Sequence, residues 1–503
     1  MDDLKTTVET LSPEDVREFT YFIQRQKKKK VRKDYELFKL LLQKKRWKPQ
    51  ELMAQLYPEG ESTVAYYALR KRLMQHLTDF IMLKRTTEDP TASSTVMGLL
   101  SLARYLFDAQ AERLAWNMLR KAEKTAEQNE QYELLNTVYN LQIEKAGSAY
   151  SDDLDLIIQK RNENKAIADE DERANIASSI IQKRLEQARV DGRYLQFEST
   201  IQEVLSAYGL QNAISRRPSL LYKLMQIARS AVLARKDFYT FEPYIIEQYL
   251  AAANANGFSR ANQYYKVHLL YMIAHVLYRN RKFQQSNHYL AQLQNALQNE
   301  AKSYYGAFYT KCIFLKSAND AFMRSLPEAI QALENLLQKK SNPLAPREFL
   351  TARLGLSFLY FAQGSFQKSN NTLLFINKSD KWCEKVMGKE WVLKKKLGEL
   401  ILQYEIGNPD VALEQIKLVK KNYQHLLEQP FYSNASGFLQ LLEHLFLQPD
   451  VASRKIFLQQ VEDLLQFKPT EQEDLPSMSY YAWLKSKMVN KSYYEVLLEL
   501  AGS

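Results

Sequence analysis

Apolar residues recur along this chain at helical spacing, and the breaks between apolar stretches fall at capping and turn residues. Four helices are predicted in residues 1–88. The first follows Leu11-Ser12-Pro13-Glu14-Asp15: Ser12 suits the N-cap, Pro13 the first helical position, and Glu14, Asp15 and Glu18 the positive helix start. Phe19, Phe22 and Ile23 give it one apolar face. A second helix carries Tyr35, Leu37, Phe38, Leu41 and Leu42, and a third lies near Pro49–Leu56. Pro58-Glu59-Gly60 ends the third, and Ser62 or Thr63 caps a fourth that runs to about Lys84. The polar stretch Thr86–Ser94 has the turn residues of a linker.

From about residue 95 the pattern repeats. A small or aromatic residue is followed by Leu or Ile four positions later, then by an apolar residue about three further on. The clearest copies are Phe283-x2-Ser286-x3-Leu290-x2-Leu293 and Phe366-x2-Ser369-x3-Leu373-x2-Ile376. Leu326-x2-Ala329-x3-Leu333-x2-Leu336 and Ala412-x3-Ile416-x2-Val419 agree with them. Earlier copies are Ala115-x3-Leu119-x2-Ala122, Tyr194-x2-Phe197-x3-Ile201 and Phe238-x2-Phe241-x3-Ile245. The anchors 115, 197, 241, 286, 329, 369 and 412 are 82, 44, 45, 43, 40 and 43 residues apart. The gap of 82 is two units, with a degenerate unit near 131–168, and a further unit fits near 435–467. About nine units result. Each is a pair of antiparallel helices that cannot bury its apolar stripe alone, so neighbours must stack into one continuous core.

The stretch Tyr360-x3-Gly364-x-Phe366-x2-Ser369-x3-Leu373-x2-Ile376 resembles the latter part of a tetratricopeptide repeat. That family shows an aromatic, Gly, an aromatic and Ala at those offsets. Gly407 followed by Asn408-Pro409-Asp410-Val411-Ala412-Leu413-Glu414 is similar. The period here, 40–45, is longer than the family's 34, and the small positions are often larger, so the likeness is to a degenerate form. It implies an all-α, right-handed solenoid of about nine tetratricopeptide-like hairpins over residues 95–467. A basic N-terminal helical domain, 1–88, would precede it, and a C-terminal helical cap, 468–503, would close it. The family binds partners on the concave face lined by the first helix of each hairpin. Matching the register places His268, Tyr271, His275, Tyr278 and Arg279 on that face. These side chains can stack, hydrogen bond and carry charge, as an extended peptide requires.

Composition supports helices. Glycine is 14 of 503 residues, about 3% against a usual ~7%, too few for a protein built on tight sheet turns. The net charge of +11 is uneven. Residues 1–85 hold 19 Lys+Arg and 12 Asp+Glu, so most of the excess lies there. Its centre is the run Lys27, Lys28, Lys29, Lys30, Arg32 and Lys33, which could attract nucleic acid, an anionic surface or an acidic protein. Further on, Ala68-Leu69-Arg70-Lys71-Arg72-Leu73 follows a proline turn, and the segment faintly resembles the winged-helix domain of bacterial activators that carry a helical-repeat domain. No β-wing pattern follows residue 84. The preferred reading of these helices is a cap over the apolar face of the first repeat.

Candidate catalytic chemistry is sparse. His268 and His275 are seven residues apart on one helix face, about 10 Å, whereas two ligands to one metal want a spacing of four. Phosphate-cradling and nucleophile-elbow glycine motifs are lacking. Cys312 sits in an apolar helix as a small core residue. The two cysteines, Cys312 and Cys383, give neither a metal spacing nor a disulfide framework, and no signal pattern or long apolar run is present. These features predict a cytoplasmic, non-enzymatic protein without metal or cofactor. Its expected work is that of a scaffold or adaptor for a protein or peptide; the alternative is a nucleic-acid-binding regulator with the repeats as sensor.

Overall fold

The computed structural model describes residues 3–25, 33–43, 47–58, 60, 63–88, 92–190, 197–211, 213–235, 238–255, 257–259, 262–338, 344–429, 432–453, 455–464 and 475–502. Among these the regular elements are helices, and no strand occurs. Contact density divides the chain into two compact units, Met1–Asp169 and Glu170–Ser503.

The first unit holds α1 (Asp3–Glu9), α2 (Pro13–Arg25), α3 (Lys33–Leu42), α4 (Pro49–Leu56), α5 (Thr63–Glu88), α6 (Ser93–Asp108), α7 (Glu112–Gln128) and α8 (Tyr132–Glu144). The division between units falls inside α9 (Leu154–Val190). The sequence pattern missed α1, whose Leu4 and Val8 are buried one turn apart. Ser12 caps α2 as expected: its Oγ accepts from the Asp15 N–H at 3.1 Å, while its own N–H donates to Asp15 Oδ2 at 2.9 Å. Lys84 pairs with Asp15 at 2.6 Å and holds that carboxyl down at about 2. Phe19, Ile23, Leu37, Phe38, Leu41 and Leu73 form the centre of this small core.

Asp34 near the start of α3 is buried within that core's edge, with Arg72 Nε and His76 Nε2 of α5 each 3.6 Å from its Oδ2. Removing a buried carboxylate while leaving the Arg72 guanidinium and the His76 imidazole without it is destabilising. Asp34→Ala should therefore cost about 2 kcal/mol, moderated because Arg72 can turn to solvent. Guanidinium melts of the variant and wild type would check this; an unchanged midpoint would deny Asp34 a structural role.

The degenerate unit expected near 131–168 takes another form. α8 is followed by α9, a single helix of 37 residues. No Pro or Gly interrupts Leu154–Val190, so nothing in the local sequence stops the helix.

The second unit continues with α10 (Phe197–Ala207), α11 (Ala213–Arg216), α12 (Pro218–Arg235), α13 (Phe238–Asn254), α14 (Gln263–Arg279), α15 (Phe283–Asn299), α16 (Tyr305–Phe322) and α17 (Leu326–Gln338). Then come α18 (Pro346–Ala362), α19 (Phe366–Leu374), α20 (Asp380–Met387), α21 (Lys389–Ile406), α22 (Pro409–Asn422) and α23 (Gln424–Leu427). The last four are α24 (Ser433–Leu447), α25 (Lys455–Leu464), α26 (Leu475–Val489) and α27 (Tyr493–Ala501). Neighbouring helices pack in pairs: α6 with α7, α12 with α13, α14 with α15, α16 with α17, α18 with α19, and α21 with α22.

Two devices build these pairs. The first is the turn. Gln110, Arg281, Arg324, Gly364 and Gly407 all have positive φ. In each case the next N–H reaches back five residues, as from Lys282 to the Leu277 carbonyl at 2.9 Å and from Ser365 to the Tyr360 carbonyl at 2.9 Å. This closes the first helix and reverses the chain within three residues. The second device is a small-residue crossing. Ser286 Oγ donates to the Ala274 carbonyl, Ser317 Oγ to the Ala329 carbonyl and Ser369 Oγ to the Ser357 carbonyl, each at 2.7 Å and each across 12 residues. Only a small side chain lets two backbones come within reach of one hydroxyl. The anchors Ser286, Ala329 and Ser369 thus act as contact points between partner helices.

The C-terminal pair does more than follow the last repeat. It lies back along the unit. Arg281 Nη1 donates to the Leu500 carbonyl at 3.0 Å, Tyr494 Oη to the Ala321 carbonyl at 2.5 Å and Tyr480 Oη to the Lys394 carbonyl at 2.9 Å. The Tyr493 ring meets Phe361 at 5.0 Å. α26 and α27 therefore strap α14, α16, α18 and α21 together.

Candidate functional site

α14 is apolar almost all round. Val267, Leu270, Ile273, Ala274 and Leu277 are buried, and so are Leu269, Met272 and Val276 on its other side. Such a helix lies inside its unit, covered by α12, α13, α15 and α16. One stripe stays half-buried: Tyr264, His268, Tyr271, His275 and Tyr278, spaced four, three, four and three residues apart. The structure brings together four of the five residues picked from sequence. The fifth, Arg279, is turned to the stripe's edge, its guanidinium 4.8 Å over the Phe238 ring.

The stripe continues onto both neighbouring helices. The Tyr222 ring of α12 lies 5.8 Å from Tyr264, 5.7 Å from Tyr265 and 5.1 Å from His268. Phe308 of α16 lies 4.8 Å from His268 and 5.8 Å from Tyr271. Lys311 Nζ stands 5.0 Å over Phe308 and 5.8 Å over Tyr271. These are edge-on, tilted and cation–π contacts, so the surface is held in place by its own rings.

Charge on this band is one-sided. His268 donates its Nδ1–H to the Tyr264 carbonyl at 2.8 Å. Burial lowers its pKa, and Lys311 adds to the lowering against the hydrogen bond's opposite pull. His275 is pushed down to about 3 by burial, then by Arg229 and Arg279. Burial raises the Tyr271 phenol, against the pull of Arg229. Arg229 of α12 is half-buried, and burial disfavours its charge most. Sequence reasoning missed Tyr222 and Arg229. Their signal was one repeat away: a shift of one period carries Tyr222 onto Tyr264 or Tyr265, and Arg229 onto Tyr271.

Beyond Tyr278 the stripe opens into a cavity of about 510 Å3. One side is formed by α16, α18 and α21, with Ala318, Gly355 and Gly398 as small residues among Phe314, Leu354, Phe358 and Ile401. The other side is formed by the strap, through Tyr480, Trp483 and Tyr493. Most polar groups there are already satisfied. Ser357 bonds Ser369, Tyr480 bonds the Lys394 carbonyl, and Trp483 Nε1 donates to Glu405 at 2.6 Å. The cavity therefore suits an apolar guest.

A Cβ on Gly398 would meet nothing within 4 Å. Gly398→Ala should thus stabilise α21 by about 0.7 kcal/mol, since glycine is a poor mid-helix residue. A bulkier residue there fills the cavity from its wall. Thermal melts test the alanine; a lower melting temperature would show that the space is not open.

The remaining residues singled out by pattern and charge lie elsewhere. Lys27, Lys28, Lys29, Lys30 and Arg32 lie outside the described residues. Lys33 stands 3.8 Å over the Tyr57 ring in the first unit. Cys312 is buried, and burial pushes its thiol up to about 12. No group of three potential metal ligands converges among the described residues. No helix among them is long and apolar enough to cross a membrane. The chain matches no family model, no curated protein and no solved structure.

Proposed function

We propose that this chain is a non-enzymatic scaffold whose second unit is a tetratricopeptide-like right-handed solenoid that captures an extended peptide segment. The observation that carries this reading is the continuity of the half-buried aromatic stripe on α14 with the apolar cavity, through Tyr278. The first helices α12, α14, α16, α18 and α21 would line the concave face. The stripe offers flat rings for a peptide backbone and its side chains, and the cavity holds one large apolar side chain as an anchor. The strap sets the cavity's outer wall, so the anchor pocket is preformed.

Panning a peptide library on the full-length protein tests the reading. The expected selection is a short motif with one bulky apolar residue. Its binding should fall at least tenfold in Gly398→Trp, which fills the pocket, and in the double variant Tyr271→Ala, Tyr278→Ala. Selection of no motif, or of peptides indifferent to both variants, would sink it. Charge reversal at Lys28, Lys30 and Lys33 should leave peptide binding intact; a loss confined to that variant, with nuclease-sensitive capture, would favour the nucleic-acid reading instead.

A further inference from the structure

Arg229 sits half-buried on α12 in a place without a carboxylate. The groups that act on it are Tyr271, Tyr222 and Arg279, and no ion pair joins it to any described residue. Its Nε is buried without a hydrogen-bond partner. Across from it on α14, His275 Nδ1 is likewise buried and unpartnered. The Tyr271 ring is 6.3 Å from that imidazole, and Lys311 Nζ stands 5.8 Å over Tyr271. A buried donor left unmade is costly, and a half-buried cation facing another cation more so. Two buried charges of this unit are answered, Lys395 of α21 by Glu399 at 2.8 Å and Glu242 of α13 by Lys282 at 2.7 Å, and the half-buried Arg353 of α18, whose Nε also lacks a partner, lies against the Phe349 and Phe375 rings. Two orphaned buried nitrogens thus lie on helices close enough for Arg229 to act on His275, and an anion that accepts hydrogen bonds would answer both the charge and the guanidinium donor.

The geometry points to an oxyanion site formed by Arg229, Tyr271 and His275, which takes the carboxylate or phosphate of an acidic residue in the captured peptide. The inference rests on the peptide-capture reading and specifies its ligand. Arg229 supplies the charge and a fork of N–H donors; Tyr271 supplies its hydroxyl; His275 in its Nδ1–H tautomer adds a third donor. Lys311 contributes long-range attraction. The cavity begins at Tyr278, two turns along α14 from Tyr271, about 10 Å. An extended peptide covers that distance in about three residues. The expected ligand thus carries its acidic residue about three positions from its bulky apolar one.

Blocked heptapeptides test this on the full-length protein by fluorescence anisotropy. Each carries Trp, with Glu, phosphoserine or Gln three positions away, in both chain orders. The Glu or phosphoserine peptide should bind about tenfold tighter than its Gln counterpart. Which of the two binds better identifies the source of the oxyanion. Arg229→Gln and Tyr271→Phe should each bring the ratio of Glu or phosphoserine affinity to Gln affinity down to about one. Arg229→Gln should also melt no lower than wild type, since it removes a charge that nothing neutralises. Equal binding of all three peptides to wild type, a preference that survives in Arg229→Gln, or a marked loss of melting temperature in that variant would each overturn the site. Should no peptide bind, the capture reading fails on its own, and phenylglyoxal labelling with inorganic phosphate decides the anion site. Protection of Arg229 by phosphate would uphold it, and unprotected labelling would overturn it.

Discussion

Trp483→Ala should cost about 4 kcal/mol and release the C-terminal strap. The indole of Trp483 is fully buried. It lies edge-on to Tyr404 at 5.2 Å and to Phe438 at 6.2 Å, so it fills the seam among α21, α24 and α26. Its Nε1 donates to Glu405, which also takes Lys487 at 2.5 Å. Alanine would leave a large hole, and Glu405 would lose one of its two partners. Trp483 is the largest fully buried side chain of the strap, so the loss falls on α26 and α27 first. Amide hydrogen exchange is the fitting measurement, because it reports opening of one segment without requiring the whole chain to unfold. Amides of residues 478–500 should lose protection by several hundredfold, while those of α14 and α15 hold theirs. Uniform loss throughout the second unit would show that the strap is part of the core rather than a clasp on it. Peptide binding should fall in the same variant, because the indole is also a wall of the cavity.

His275 should make the second unit acid-labile. Its pKa falls from the ordinary 6.5 to about 3 in the folded chain, chiefly through burial, with Arg229 of α12 and Arg279 of its own helix adding repulsion. Tyr271 and Tyr278 flank it on α14, and burial raises the Tyr271 phenol further from this range. In the folded state the ring is therefore neutral down to about pH 3, whereas the unfolded chain takes up a proton below 6.5. Between those values the unfolded state binds more protons, so stability rises with pH. The contribution is complete above 6.5 and is lost as pH falls, by about 3 kcal/mol at pH 4. Denaturant melts at pH 7 and pH 4 should show this loss in wild type. They should show a shallower one, by about that amount, in His275→Gln, whose amide cannot titrate. Equal acid loss in both proteins would mean that the ring is solvated in solution and that the site around it is open. The same measurement with inorganic phosphate present should soften the wild-type loss, since an anion beside His275 favours its charged form.

Both outcomes turn on groups that the sequence treats as ordinary. His275 could be read as one of the half-buried positions of α14, because these recur by three and four and the neighbouring repeats supply the register. That face could be read because burial on a helix depends on spacing alone. The isolation of Arg229 could not, since whether a cation finds a carboxylate depends on which helices meet. The turns show the same limit. Gly364 and Gly407 announce themselves, but Gln110, Arg281 and Arg324 take up the same positive-φ conformation without a glycine to mark it. Packing of the two helices on either side forces them there.

Helix content, the starts of the second helices and the residues that anchor them all follow from the linear pattern, because small side chains at a fixed period are required wherever two backbones cross. The stripe of α14 that stays half-buried follows from it too. Long-range packing decides the rest. It merges the latter part of the degenerate unit expected near 131–168 into α9, which no local Pro or Gly interrupts. It also lays the last two helices back along α14 to α21, where they enclose a cavity. The residues that meet across the strap, Arg281 with Leu500 and Ala321 with Tyr494, are 219 and 173 positions apart. No periodicity of 40–45 residues can encode a contact at that separation; it arises only when the apolar face of the last pair finds the surface that the earlier pairs have already built.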